Sequence, residues 1–122
     1  MNTLAERISD SLHSLRASTP DILGSAVVST EGFVVSSLLP AEVDEDLVSG
    51  MAASLLGVGE RISSDLMRSG MEQVYVRSPK GYIVLNAVTN DTAIVLLVSR
   101  EAKLGLIFLE LRRALADLCQ VI

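Results

Sequence analysis

The sequence predicts an α/β-class domain of the α+β type, with a five-stranded antiparallel sheet, helices on both faces and the order α-β-β-α-β-β-β-α. Its 122 residues leave room for one domain, taken as residues 1–122. The spacing of apolar residues is typical of helices in some segments of the chain and of strands in others, and the two kinds of segment alternate. The last two strands contain the runs 83–85 and 93–98, which are apolar at odd and even positions alike, so we expect both faces of the sheet to be covered.

A first helix is predicted from a capping-box pattern at its start, formed by Thr3 and Glu6. Apolar residues follow at helical spacing and should line one face: Leu4, Ile8, Leu12 and Leu15. Thr19 precedes Pro20 and is therefore pushed out of helical geometry, which ends the helix.

Two strands over 22–30 and 33–38 should form a hairpin across Glu31-Gly32. A long helix is predicted from about Asp44 to Arg68, with Gly70 supplying the left-handed residue that commonly ends a helix.

Three further strands are predicted at 71–78, 82–89 and 92–99. The first two are joined by a type I turn over 78–81, and the last two by Asn90-Asp91, whose side chains tolerate positive φ. The closing helix, about 101–119, has an apolar stripe made of Leu104, Ile107, Phe108, Leu111, Leu115 and Leu118.

The long helix carries two stripes. The larger apolar residues form the stripe that we expect to face the sheet: Leu47, Met51, Leu55, Val58, Ile62 and Leu66. Beside it lie the small residues Gly50, Ala53, Ser54 and Gly57. Because a glycine inside a helix costs about 1 kcal/mol relative to alanine, close approach of a second backbone is expected to offset that cost. Packing under a local loop is the alternative.

The strand at 71–78 alternates in polarity, with Gln73 and Arg77 on the Tyr75 side. It would be an exposed edge in a monomer, and pairing with its own copy about a two-fold axis would cover it. A solvated polar edge is the alternative. The predicted dimer interface comprises Gly50, Ala53, Ser54, Gly57, Arg61, Gln73, Tyr75 and Arg77.

Composition and charge exclude several classes of function. A net charge of −5 and only two tyrosines, two phenylalanines and no tryptophan argue against nucleic-acid binding. Although 49% of residues are hydrophobic, the longest aliphatic run, 93–98, is far shorter than the ~20 residues of a membrane span. With one cysteine and no visible signal peptide, we expect a reduced, cytoplasmic protein that does not insert into membranes.

No catalytic or cofactor site is predicted. His13 has no suggestive partner in the sequence, and Cys119 is expected to be a small buried side chain. The acidic cluster at 42–46 lacks the spacing of a calcium loop and suits a helix N-terminus. Gly57-Val58-Gly59 lacks the phosphate-loop pattern. We therefore expect a protein that is not an enzyme.

Three segments carry a family resemblance: GSAVVSTEGFVV at 24–35, SGMAASLLG at 49–57 and the tail AKLGLIFLELRRA at 102–114. Together with the element order, they resemble the roadblock/dynein light chain family, which includes MglB-type gliding regulators. The resemblance implies a profilin-like fold and a dimer, built by antiparallel pairing of the third strand and side-by-side packing of the second helices.

The resemblance also implies a function. Family members are adaptors or regulators of small GTPases, motors or endomembrane complexes, and MglB-type members promote GTP hydrolysis without donating an arginine. We therefore expect a homodimer that binds a Ras-like small GTPase. The alternatives are a scaffold indifferent to nucleotide state and, with least support, a small-ligand sensor.

Overall fold

The computed structural model describes residues 3–122, and over that range the chain forms three helices and five strands in the predicted order. Their bounds are α1 Leu4–Ser18, β1 Ile22–Ser29, β2 Val34–Leu38, α2 Glu45–Met67, β3 Gln73–Ser78, β4 Gly81–Ala87, β5 Thr92–Ser99 and α3 Leu104–Val121. The predicted helices and strands are thus confirmed, with ends displaced by a few residues.

The strands form one antiparallel sheet in the order β2-β1-β5-β4-β3. β5 lies at the centre, where Val27 of β1 is opposite Ile94 and Leu85 of β4 is opposite Val95. The sheet ends at β2 on one side and at β3 on the other.

Each face of the sheet has its own hydrophobic core. Ile94 and Leu96 of β5 pack beneath α1 and α3, whereas Ala93 and Val95 pack beneath α2. All four are almost completely buried. The prediction that the central strands are covered on both faces is therefore confirmed.

The start of α1 follows the predicted cap. Thr3 Oγ1 accepts a hydrogen bond from the Glu6 amide at 3.1 Å and donates one to the Glu6 carboxylate at 3.2 Å. Leu4, predicted to lie on the buried face, is 50% exposed, because only the residues from Ile8 onward reach the core.

Three details of the turns and helix ends differ from the prediction. Arg68, not Gly70, is the left-handed residue after α2, with φ 55°. The β4–β5 turn does not give Asn90 or Asp91 a positive φ, because the Thr89 hydroxyl accepts hydrogen bonds from the Asp91 and Thr92 amides instead. α3 begins at Leu104 rather than at residue 101, because Ala102 N donates to Ser99 O and closes a turn there.

The face of α2 that contacts the sheet also differs from the prediction. Its buried residues are Ser49, Ala52 and Leu56, whereas Leu55 is only partly buried. The remaining members of the predicted sheet-facing stripe are exposed: Leu47, Met51, Val58, Ile62 and Leu66. The small side chains Ala26 and Ala93 of the sheet share one core with Ala52 and Leu56, so this side of α2 can lie close to the sheet.

Candidate functional site

The exposed residues of the predicted sheet-facing stripe form a row of apolar side chains along α2, which we call the apolar stripe and define as Leu47, Met51, Val58, Ile62 and Leu66. These side chains are 59%, 62%, 54%, 54% and 74% exposed, respectively. Large apolar side chains scattered singly over a surface need no explanation, but a row along about five turns of one helix is typical of a contact with another polypeptide.

An apolar groove lies beside this stripe. α2 packs over β1 and β2, which leaves the same face of β3, β4 and β5 only partly covered. The resulting space, the α2 groove, has a volume of about 320 Å³. Its lining is entirely apolar: Leu47, Val48, Met51, Ala52, Leu55, Val76, Ile83, Leu85, Val95 and Leu97.

β3 forms the outer wall of the groove and one edge of the sheet. Its side chains alternate, with Val74 in the core beneath α2 and Tyr75 on the opposite face, 6.0 Å from the Phe108 ring centroid. Gln73 and Arg77 flank Tyr75 and are exposed. An edge strand next to an apolar groove presents unpaired backbone groups and apolar area together, which favours association.

The small-residue stripe lies elsewhere on α2. Gly50, Ser54, Gly57 and Arg61 are exposed and Ala53 is half-buried. At about 100° per residue, both rows lie well away from the buried side of α2 and are separated by roughly 90° around the helix. Leu47 and Met51 of the apolar stripe line the groove, whereas none of the small residues does. Apart from the helix's own backbone, a Cβ built at Gly50 or Gly57 meets no atom of the described chain within 4 Å. A role for these residues in a dimer stays a prediction.

Gly59, a third glycine of α2, lies next to a side chain from outside the helix. A Cβ at Gly59 would overlap the Met71 sulfur, so a larger residue here would require the flexible Met71 side chain to move. The Glu60 carboxylate accepts a hydrogen bond from the Met71 amide at 2.8 Å and holds the α2–β3 connection.

The side chains capable of chemistry are dispersed. His13 Nδ1 lies 2.8 Å from Ser9 O on the exposed side of α1, and Cys119 is exposed, contrary to the prediction that it is buried. Asp44 caps α2, as expected for an acidic residue at that position. Within residues 3–122, no three His, Cys, Asp or Glu side chains are grouped to hold a metal ion. None of the described helices has the length and apolarity needed to cross a bilayer.

An open sheet edge, an apolar groove and an exposed apolar helix stripe define a domain suited to protein–protein contact. The chain belongs to the Roadblock/LC7 domain family, which matches residues 8–98. It is 35% identical over 96 residues to the uncharacterized protein MJ0714 of Methanocaldococcus jannaschii, covering 79% of this chain and 80% of that protein.

Solved structures show the same fold. Myxococcus xanthus MglB superposes with a TM-score of 0.90 at 14% identity, covering 99% of this chain and 91% of that one. Acanthamoeba castellanii profilin IB superposes with a TM-score of 0.66 at 11% identity, covering 92% and 96% of the two chains. The predicted roadblock family and profilin-like fold are therefore confirmed.

Proposed function

We propose that the protein is a homodimeric adaptor that binds a Ras-like small GTPase and regulates it. The observation that carries the proposal is the apolar stripe of α2 beside the α2 groove and the β3 edge, in a chain with the fold of MglB. Membership of the Roadblock/LC7 family supports a regulatory role without enzymatic turnover of a substrate.

In the proposed dimer, β3 pairs antiparallel with β3 of a second copy about a two-fold axis. Such pairing extends the sheet beyond the wall of the groove that contains Val76. The second copy then brings its own α2 to the same face, so that the two apolar stripes and grooves cover one another. One interface thereby covers both the backbone edge of β3 and the apolar stripe of α2.

The free energy of association favours an interface that includes both the apolar stripe and the β3 edge. Burying a large apolar side chain completely contributes about 1.5–3 kcal/mol, so covering the half-exposed stripe contributes roughly 1 kcal/mol for each side chain. Over both copies this gives roughly 10 kcal/mol, which is comparable with the ~4–15 kcal/mol cost of association. The stripe alone therefore supports a weak dimer at best, and the β3 backbone hydrogen bonds add stability and fix its register.

Association in solution can be tested by light scattering at micromolar concentration. The parent protein should have twice the mass of one chain, whereas Ile62→Glu should be monomeric because it places a charge within the covered stripe. Leu106→Glu is the matched control, because Leu106 is similarly exposed, at 58%, but lies on α3. A monomeric parent protein, or equal loss of mass in both variants, would contradict the proposed interface.

The GTPase can be tested with a Ras-like protein from the same genome, titrated calorimetrically after loading with GDP or a GTP analogue. A regulator must distinguish the two states, because equal affinity shifts no equilibrium. We expect at least a tenfold difference, about 1.4 kcal/mol. Equal affinities would indicate a passive scaffold, and no binding to any such GTPase would defeat the proposal.

Hydrolysis by the bound GTPase should then be followed with Arg61→Ala and Arg68→Ala. We propose that neither arginine is donated to the nucleotide, in keeping with the MglB-type pattern, so both variants should stimulate hydrolysis as the parent protein does. Loss of stimulation with binding intact would show that an arginine finger acts from α2.

A further inference from the structure

A second cleft lies on the opposite face of the sheet, between α3 and the adjoining ends of β3 and β4. Its volume is about 410 Å³, within the range of about 300–1,000 Å³ typical of small-molecule sites. It is lined by Met71, Glu72, Gln73, Asn86, Ala87, Phe108, Leu111, Arg112 and Leu115. Unlike the α2 groove, this α3 cleft combines an apolar wall with amide and charged groups.

Two side-chain amides of the α3 cleft are fixed by their hydrogen bonds. Gln73 Nε2 donates to Asn86 Oδ1 at 3.0 Å, and Asn86 Nδ2 donates to Ala87 O at 2.9 Å. These bonds assign one donor and one acceptor role at the Gln73–Asn86 contact. Within residues 3–122, Gln73 Oε1 receives no hydrogen bond, so this oxygen is available to accept one from a ligand in the cleft that Gln73 lines.

Arg112 supplies a cation to the same cleft. Among the described residues, no carboxylate lies within 4 Å of its guanidinium, including that of Glu72 in the lining. Its neighbour Arg113 instead forms an ion pair with Glu110 at 3.0 Å. Because Arg113–Glu110 is the one ion pair among the described residues, the other lysines and arginines of that range lack a carboxylate partner as well. What matters for binding is that Arg112 lines the cleft beside an apolar wall, where its guanidinium can bind an anionic group of a ligand.

We propose that the α3 cleft binds the C-terminal residue of a partner polypeptide that ends in an apolar side chain. Arg112 binds the terminal carboxylate, Gln73 Oε1 accepts from the amide N–H of the same residue, and the apolar side chain packs against Phe108 and Leu115. A fatty acid would satisfy the cation and the apolar wall but would leave Gln73 Oε1 unpaired. An internal acidic residue has the N–H and the carboxylate but no apolar side chain to fill the wall.

The cleft is complete within one protomer, so the proposal does not depend on the dimer or on the GTPase. Backbone pairing along the outer edge of β3 also leaves the Gln73 side chain on the face of the sheet, where it lines the cleft.

The test titrates the full-length ¹⁵N-labelled protein with N-acetyl-leucine, the smallest mimic of such a terminus, and follows the side-chain amide signals of Gln73 and Asn86 by NMR. We expect saturable shifts of these signals. N-acetyl-leucinamide, which lacks the charge, and 4-methylpentanoate, which lacks the amide N–H, should each bind at least tenfold more weakly. Equal binding of either analogue, or no shift at millimolar concentration, would overturn the proposal.

Matched variants distinguish binding in the α3 cleft from attraction of the ligand by the net charge of the protein. Arg112→Gln should weaken N-acetyl-leucine binding at least tenfold, whereas Arg113→Gln, the neighbouring substitution on the same helix, should leave it unchanged. Gln73→Leu should remove the preference for N-acetyl-leucine over 4-methylpentanoate. Equal effects of Arg112→Gln and Arg113→Gln would mean that net charge, not the cleft, attracts the ligand.

Discussion

Truncating Leu56 to alanine should lower the free energy of unfolding of the protomer by about 2–5 kcal/mol, the usual cost of removing a buried leucine side chain. Leu56 is 6% exposed and belongs to the core beneath α2, together with Val28, Leu85 and Val95. For a slope of ~2 kcal/mol per molar urea, the denaturation midpoint should fall by roughly 1–2.5 M.

Ile62→Ala provides the comparison, because Ile62 lies on the same helix but is 54% exposed. Half-burial of an isoleucine contributes roughly 1 kcal/mol, so the isolated protomer should lose no more than that. If a second copy covers the apolar stripe, this variant should instead lower the midpoint more strongly at high protein concentration than at low.

Urea denaturation followed by circular dichroism, at several protein concentrations, measures both effects. The Leu56→Ala loss should persist at the lowest concentration, where the protomer is alone. If Ile62→Ala lowered the midpoint by as much as Leu56→Ala at every concentration, the assignment of one residue to the core and the other to an interface would be refuted.

Three further outcomes are expected. Gly57→Leu, at a position open within the protomer, should raise protomer stability by up to about 1 kcal/mol through helix propensity but weaken the dimer, seen by light scattering, if a second backbone approaches there. Glu60→Ala should speed hydrogen exchange of the Met71 amide and cost about 1 kcal/mol in urea denaturation. Gly81→Ala should lower the thermal midpoint, costing at least ~1–3 kcal/mol, because φ is 151° and its Cβ would lie 2.4 Å from Val98 O.

The sequence was sufficient to predict the order of the elements because its signals were local. The Thr3 cap, the break at Pro20 and the uninterrupted apolar run in β5 each depend on neighbouring residues, and the structure contains all three. The prediction of a positive φ at Asn90-Asp91 was wrong, because the Thr89 hydroxyl accepts hydrogen bonds from the Asp91 and Thr92 amides and no positive φ is required. Competing local hydrogen bonds of that kind cannot be ranked from residue preferences alone.

The α3 cleft could not be predicted from the sequence because its parts are distant along the chain. Gln73 and Asn86 meet through the register of β3 and β4, and Arg112 reaches them from the last helix. Asn86 was the single visible signal, as an isolated polar residue within otherwise apolar central strands. Its partners depend on strand register and helix rotation, which require the folded structure.

The wrong assignment of the sheet-facing side of α2 has a physical cause that bears on how the protein functions. Periodicity identifies an apolar face but does not tell whether the protomer's own sheet or a second chain covers it. Here the buried side of α2 consists of Ser49, Ala52 and Leu56, while most other large apolar side chains of this helix are exposed. A hydrophobic content of 49% thus exceeds what the two cores of one protomer bury. Of the fifteen large hydrophobic side chains that are exposed in the described part of the chain, eight lie on α2 or β3, where a second copy could cover them together with the open strand edge.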